Sequence, residues 1–197
     1  MRIFGAENIT KTYTDRVLLV GVTLNLNEGD KVGVVGINGT GKSTLLKIVA
    51  GIETANSGYI QRIPGVRISY LPQNPEFKNG GTVLEQVFSS NPQLRTAKEY
   101  EAKAILTRLG ITDFDKQVSL LSGGQKKRVA IAAALVCPCE LLILDEPTNH
   151  LDSEMVAWLE DFLSKFKGAL LMVTHDRYFL DRVANRIVEV DHAHVYS

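Results

Sequence analysis

The stretch "DKVGVVGINGTGKSTLLKIVAG", Asp30 to Gly51, decides the fold. Its early part, "KVGVV", reads as a buried strand that ends at Gly36. Its late part, "KSTLLKIVAG", is built of helix formers, with Gly51 placed as a C-cap. Between them "GINGTGKS" fits G-x-x-x-x-G-K-[ST] in the strand-to-helix setting that pattern requires. Glycines let the backbone curl so that N–H groups converge on phosphate oxygens. Lys42 is then expected to reach the β- and γ-phosphates, and Ser43 to place its hydroxyl on Mg²⁺. The expected grip runs through Gly36, Ile37, Asn38, Gly39, Thr40, Gly41, Lys42, Ser43 and Thr44.

Outward from this loop the chain alternates. Before it, "RIFGAENIT" and "VLLVGVTLNLN" read as strands, the second with the period-two pattern of a half-buried one. After it come strands in "SGYIQ" and "VRISYLPQ". From Thr82 to Arg108 the residues favour helix, with Ala102, Ile105, Leu106 and Leu109 on one face, Glu99 and Lys103 paired along it, and Gly110 to close it. The last third resumes strand and helix: "LLILD", a helix from Ser153 to Phe166, "ALLMVTH", a helix from Asp176 to Val183, and "RIVEV". This alternation predicts an α/β fold with a mostly parallel sheet. An N-terminal antiparallel β portion precedes it, and a small helical subdomain at about 75–137 is expected within a single domain, 1–197.

Composition narrows the class. Hydrophobic residues make up 45% and charged residues 22%, which is globular rather than disordered. Lys plus Arg equals Asp plus Glu at 22 each, so net charge gives no support for a non-specific nucleic-acid or membrane-surface binder. The longest apolar run, Val129 to Cys137, is far too short to span a bilayer. The N-terminus lacks a signal peptide's apolar core, and a cytoplasmic chain is expected. Cys137 and Cys139 flank Pro138 with no second pair to complete a zinc site; they are expected as reduced, partly buried thiols at a helix end.

Two further stretches carry chemistry. "LLILDEP" puts Asp145 and Glu146 at the end of a buried strand, where α/β sheets bind ligands. Asp145 suits the magnesium shell, and Glu146 suits orienting or deprotonating an attacking water. His175 ends "ALLMVTH" at the same sheet edge, within expected reach of a γ-phosphate. "LSGGQ", Leu121 to Gln125, opens a second glycine-rich helix start, yet one phosphate loop is already complete. The economical reading is that it grips a nucleotide held by another subunit, so that two domains lie head to tail around two ATP molecules.

These motifs, in this order, resemble the nucleotide-binding domain of an ATP-binding-cassette (ABC) ATPase, over almost the whole chain. "GINGTGKS" resembles the Walker A loop, "LPQ" the Q-loop with Gln73, "LSGGQ" the family signature, "LLILDE" the Walker B strand, "NHLD" the D-loop with Asp152, and "VTHD" the switch histidine, His175. The resemblance implies that Ser122, Gly123, Gly124 and Gln125, with Asp152, serve a partner's ATP. It implies that Gln73 senses the γ-phosphate and Mg²⁺, and that Tyr13 stacks on adenine. "DEPTNHLD", with Asn149-His150, is most similar to the soluble ABC-F group, which implies a ribosome-acting parent and a second ABC domain as partner. The alternatives are the ATP-binding subunit of a membrane transporter, and a module that binds ATP with little turnover alone. ABC-F chains usually hold two such domains and a longer insertion between Q-loop and signature. Here 48 residues separate Gln73 from Ser122, and an N-terminal-domain fragment with a shortened arm is expected.

Two smaller readings complete the sequence. Lys126, Lys127 and Arg128 are expected as a solvated basic face. His192 and His194 are expected in a surface hairpin rather than a metal pair, since no third ligand is evident.

Overall fold

The structure, a computed structural model, describes residues 1–14, 16–77 and 80–196. β1 (Arg2–Tyr13) and β2 (Arg16–Asn27) form a long antiparallel pair, and β3 (Lys31–Val35) leads into α1 (Lys42–Ala50). β4 (Ser57–Arg62) returns to pair with β1, which completes a three-stranded antiparallel sheet, β2-β1-β4. The second sheet adds β5 (Ile68–Leu71), β6 (Leu141–Asp145), β7 (Ala169–Val173), β8 (Arg186–Asp191) and β9 (His194–Tyr196), in the order β5-β6-β7-β3-β8-β9. All its pairings are parallel except that of β9 with β8. The Val20 N–H donates to the Ala193 carbonyl at 2.7 Å, joining the two sheets at the β8–β9 hairpin.

Between β5 and β6 lie α2 (Val83–Val87), α3 (Arg95–Arg108) and α4 (Gly123–Val136); α5 (Ser153–Lys165) and α6 (Arg177–Val183) follow β6 and β7. Every residue of β6 and β7 is buried, as expected of parallel strands covered on both faces. Leu142, Leu144, Leu170 and Met172 face a core shared with α2 to α6. Leu141, Ile143, Leu171 and Val173 face a core shared with α1 and the antiparallel sheet. The expected α/β architecture is therefore the observed one.

Local departures have local causes. The helix-favouring run from Thr82 to Arg108 is two helices, because Pro92 follows Asn91 and disfavours helical backbone there. Thr82 and Glu85 cap α2 reciprocally, and Glu99 takes both Lys103 at 2.7 Å and Arg95 at 3.3 Å. The strand in "VRISYLPQ" shrinks to Ile68–Leu71, since Pro72 cannot continue the ladder. Cys137 and Cys139 are free and half-buried just beyond α4, and burial pushes the Cys139 thiol up to about 12. The two histidines sit on the β8–β9 hairpin, where His192 pairs with Asp191 at 2.8 Å. Among the described residues no cluster of three or more His, Cys, Asp or Glu could hold a metal, and no helix is long and apolar enough to cross a membrane.

The basic trio is corrected. Lys127 is only 3% exposed, and Arg128 is half-buried with Nη1 donating to the Leu109 carbonyl at 3.0 Å. α4 is covered on nearly all sides, by α2, α3 and β5, so residues next to its first turn are drawn under the helix rather than into water.

Candidate nucleotide site

β3, β6 and β7 run in register, so Val35, Asp145 and Val173 end at one edge of the sheet. The loop from Gly36 to Gly41 crosses that edge before α1 begins. A Cβ on Gly36 would lie 2.3 Å from the Val190 carbonyl oxygen, and one on Gly41 2.9 Å from that of Leu18. Both glycines also have positive φ, 145° and 98°, so neither position accepts a larger residue. Gly41 caps α1 without any side-chain hydrogen bond. The first N–H groups of α1 thus keep the orphan donors of a helix start, aimed out of the loop.

Lys42 is 7% exposed. Its ammonium donates to the carbonyls of Gly36 and Ile37 at 2.7 and 2.8 Å, and burial lowers its pKa against the pull of Glu146 and Asp145. Thr40 braces the loop, its hydroxyl donating to the Ile37 carbonyl at 2.8 Å. Arg16 reaches across from β2, donating to the Gly39 carbonyl at 2.7 Å.

The carboxylates differ as their neighbours differ. Asp145 is 1% exposed, and its Oδ1 has no hydrogen-bond partner. Burial raises its pKa, opposed by the Ser43 hydroxyl and by Lys127, Lys47 and Lys42. Glu146 has φ 51°, a left-handed backbone that costs a non-glycine residue about 1–2 kcal/mol. Its N–H donates to the Val173 carbonyl at 2.8 Å, which holds the turn. Burial raises the Glu146 pKa, and His175 opposes it from 3.3 Å. His175 is 58% exposed while Glu146 is 6% exposed, so the pair points from the core toward solvent.

One cleft of about 560 Å³ gathers Asn38, Gly39, Gly41, Lys42, Ser43, Thr44, Gln73, Asp145, Glu146 and His175. Gly36 and Ile37 line an adjoining recess that shares Lys42 and His175 with it. Tyr13 ends β1 outside this lining, 43% exposed, with the Lys11 ammonium 4.9 Å from its ring centroid. The signature residues and Asp152 are not part of the cleft either. Ser122 caps α4: its hydroxyl accepts from the Gln125 N–H at 3.2 Å, while the Gln125 side chain accepts from the Ser122 N–H at 3.0 Å. Asp152 caps α5, accepting from the Met155 N–H at 2.9 Å. The sequence reading missed Arg16, Leu18 and Asn149, which line the cleft, and Lys127, which lies beneath it. Arg16 and Leu18 come from the antiparallel sheet, and only tertiary structure brings them here.

A curled glycine loop opening a helix at the edge of a parallel sheet, with a buried lysine and two strand-end carboxylates, defines a P-loop nucleotide-binding domain. The family described as "ABC transporter" matches residues 19–149. The chain belongs to this family, as an ABC ATPase domain. It is 43% identical to the "Uncharacterized ABC transporter ATP-binding protein YfmR" of Bacillus subtilis, over 100% of this chain and 37% of that one. It is 38% identical to the "Energy-dependent translational throttle protein EttA" of Haemophilus influenzae, over 89% of this chain and 39% of that one. The chain thus spans about two-fifths of the length of these curated relatives. A dimeric ATP-binding cassette solved in a post-hydrolysis state with ADP and Pi superposes with a TM-score of 0.85, at 25% identity, covering 99% of this chain and 97% of that one.

Proposed function

We propose that this domain binds Mg-ATP in the cleft at the sheet edge and hydrolyses it when a second ABC domain closes over the nucleotide. The loop N–H groups and Lys42 would hold the phosphates. Asp145, Ser43 and Gln73 offer oxygen ligands of the kind Mg²⁺ prefers, and the unpartnered Asp145 Oδ1 fits such a cation. Bound there, Mg²⁺ would neutralise phosphate charge. Glu146, held near-buried beside His175, is placed to orient or take a proton from water. Tyr13 would stack on the base from the rim.

Gly123 carries the dimer reading. A Cβ there would meet nothing within 4 Å, so no neighbour among the described residues calls for glycine at the exposed start of α4. A surface that must admit another molecule's phosphate does. Ser122, Gly123, Gly124, Gln125 and Asp152 are read as the face toward a partner's ATP, and the dimeric cassette solved with ADP and Pi supports that arrangement.

For the parent protein we favour an ABC-F role in translation, with the ribosome as partner, on the relatedness to a translational throttle protein. The second reading, an ATP-binding subunit of a transporter, draws on the wording of the B. subtilis relative's name. Light scattering on the native chain and on Glu146→Gln, with and without Mg-ATP, tests the core of the proposal. The variant should double its mass only with Mg-ATP; a monomer at saturating Mg-ATP would remove self-association through LSGGQ.

A further inference from the structure

Lys127 lies just past the first turn of α4, and its Nζ meets three backbone carbonyls: Pro72 at 2.7 Å, Gln73 at 2.9 Å and Asp145 at 3.0 Å. An ammonium has three N–H donors, and all three are engaged. Burying a charge on neutral acceptors is costly, and the neighbouring buried positions of α4 are filled by Val129, Ala130 and Ile131 without that cost. An apolar side chain at 127 could fill the space but could not join these three carbonyls.

The joined segments are those that carry the cleft. Gln73 and Asp145 line it, and α4 begins at the signature, one turn before Lys127. The Asp145 carboxyl and the Glu146 carboxyl face the same ammonium electrostatically, so its charge also reaches the cleft from below. Loss of the ammonium would leave the carbonyls of Pro72, Gln73 and Asp145 without this donor under a closed core.

We infer that Lys127 is a positioning residue that fixes the spacing between the signature helix, the Gln73 segment and the end of β6. Gln73 and Asp145 are thereby set at the separation a cation needs, and the signature helix moves with them as one body. The inference rests on the proposed reading of Gln73 and Asp145 as Mg²⁺ ligands.

The test is the affinity of the 197-residue chain for a fluorescent ATP analogue, measured in EDTA and in saturating Mg²⁺, with melting temperatures alongside. Lys127→Met keeps the stem and removes the donors. It should bind metal-free nucleotide within about twofold of the native chain, yet lose about 10–100-fold of the Mg²⁺-dependent gain, the range for partners lying behind metal ligands. Lys126→Met, on the same turn, should change neither. If Lys127→Met does not fold, Lys127→Gln, which retains an amide donor, carries the same comparison. Equal Mg²⁺ gain in variant and native chain overturns the inference. So does a parallel loss of metal-free and metal-dependent binding with a lowered melting temperature, which would mark a merely structural lysine. A native chain with no Mg²⁺-dependent gain overturns the ligand reading and the inference together, and that result is visible before any variant is made.

Discussion

At the start of α1 a Cβ on the cap Gly41 would lie 2.9 Å from a backbone oxygen, whereas at the start of α4 a Cβ on Gly123 would meet nothing within 4 Å. The first helix start is enclosed by its own chain, with no side-chain cap and a buried lysine folded onto its carbonyls. The second faces solvent and is capped by its own Ser122 and Gln125. Glycine serves close internal packing at one and outward access at the other. The first is therefore enclosed within its own chain; the second is open, its first N–H groups met by its own capping box, and on the proposed reading it would meet a partner.

The largest expected effect comes from breaking the enclosed site. Lys42→Ala removes charge-assisted hydrogen bonds of about 1.5–3 kcal/mol each, so ATP affinity should fall on the order of 10²–10³-fold by equilibrium titration. Affinity within about threefold of native would end the claim that α1 is the chain's own phosphate seat. The next effect separates the second helix start from the first. Gly123→Asp adds a carboxylate where there is room, at a helix N-terminus that favours it. Titrated as a monomer, it should bind ATP as the native chain does. In the Glu146→Gln background, against a partner's phosphates, like-charge contact of several kcal/mol should weaken the Mg-ATP dimer on the order of 100-fold or more. An undiminished dimer would mean that the start of α4 is not the partner face.

The smallest effect sharpens the comparison by leaving both helix starts alone. Arg67 and Glu140 pair at 2.6 Å where β6 begins, at the opposite end of that strand from Asp145. Arg67 holds the Glu140 carboxyl at about 2, below its ordinary 4.5. A depressed carboxylate stabilises the fold fully above its unfolded value and loses that contribution as pH falls through the folded one. The melting-temperature gap between native and Glu140→Gln chains should thus be small and constant above about pH 4.5. It should close between there and about pH 2. ATP affinity should not change, and a gap that widens on acidification would contradict the pairing.

What could be read from the sequence was whatever is local. The phosphate loop, the strand-end carboxylates and the strand and helix alternation each depend on residues within a turn or two of one another, so spacing alone carries them. Lys127 could not be read that way. In sequence it is the middle of three basic residues; its burial depends on where Pro72, Gln73 and Asp145 lie in space, 55, 54 and 18 positions away. Arg16 and Leu18 reach the cleft for the same kind of reason, from a sheet the phosphate loop does not belong to. Pro72 and Pro92 did carry local signals: Pro72 ends β5, and Pro92 opens the helical turn that leads into α3, where a residue without an N–H is tolerated.

β3 stands between β7 and β8, and its partners begin with Leu170 and Arg186. As a ribosome makes this chain, the strand that delivers the phosphate loop finds no strand neighbour until Leu170 and its strand have been made. At about 5–20 residues per second that interval is on the order of ten seconds. Throughout it, a Val-rich edge waits beside α1 and the antiparallel sheet, and long-range pairing of this kind is slow and exposed to aggregation. The centre of this sheet closes only after β7 and β8 have followed, so the nucleotide seat takes shape well after its own loop has been made.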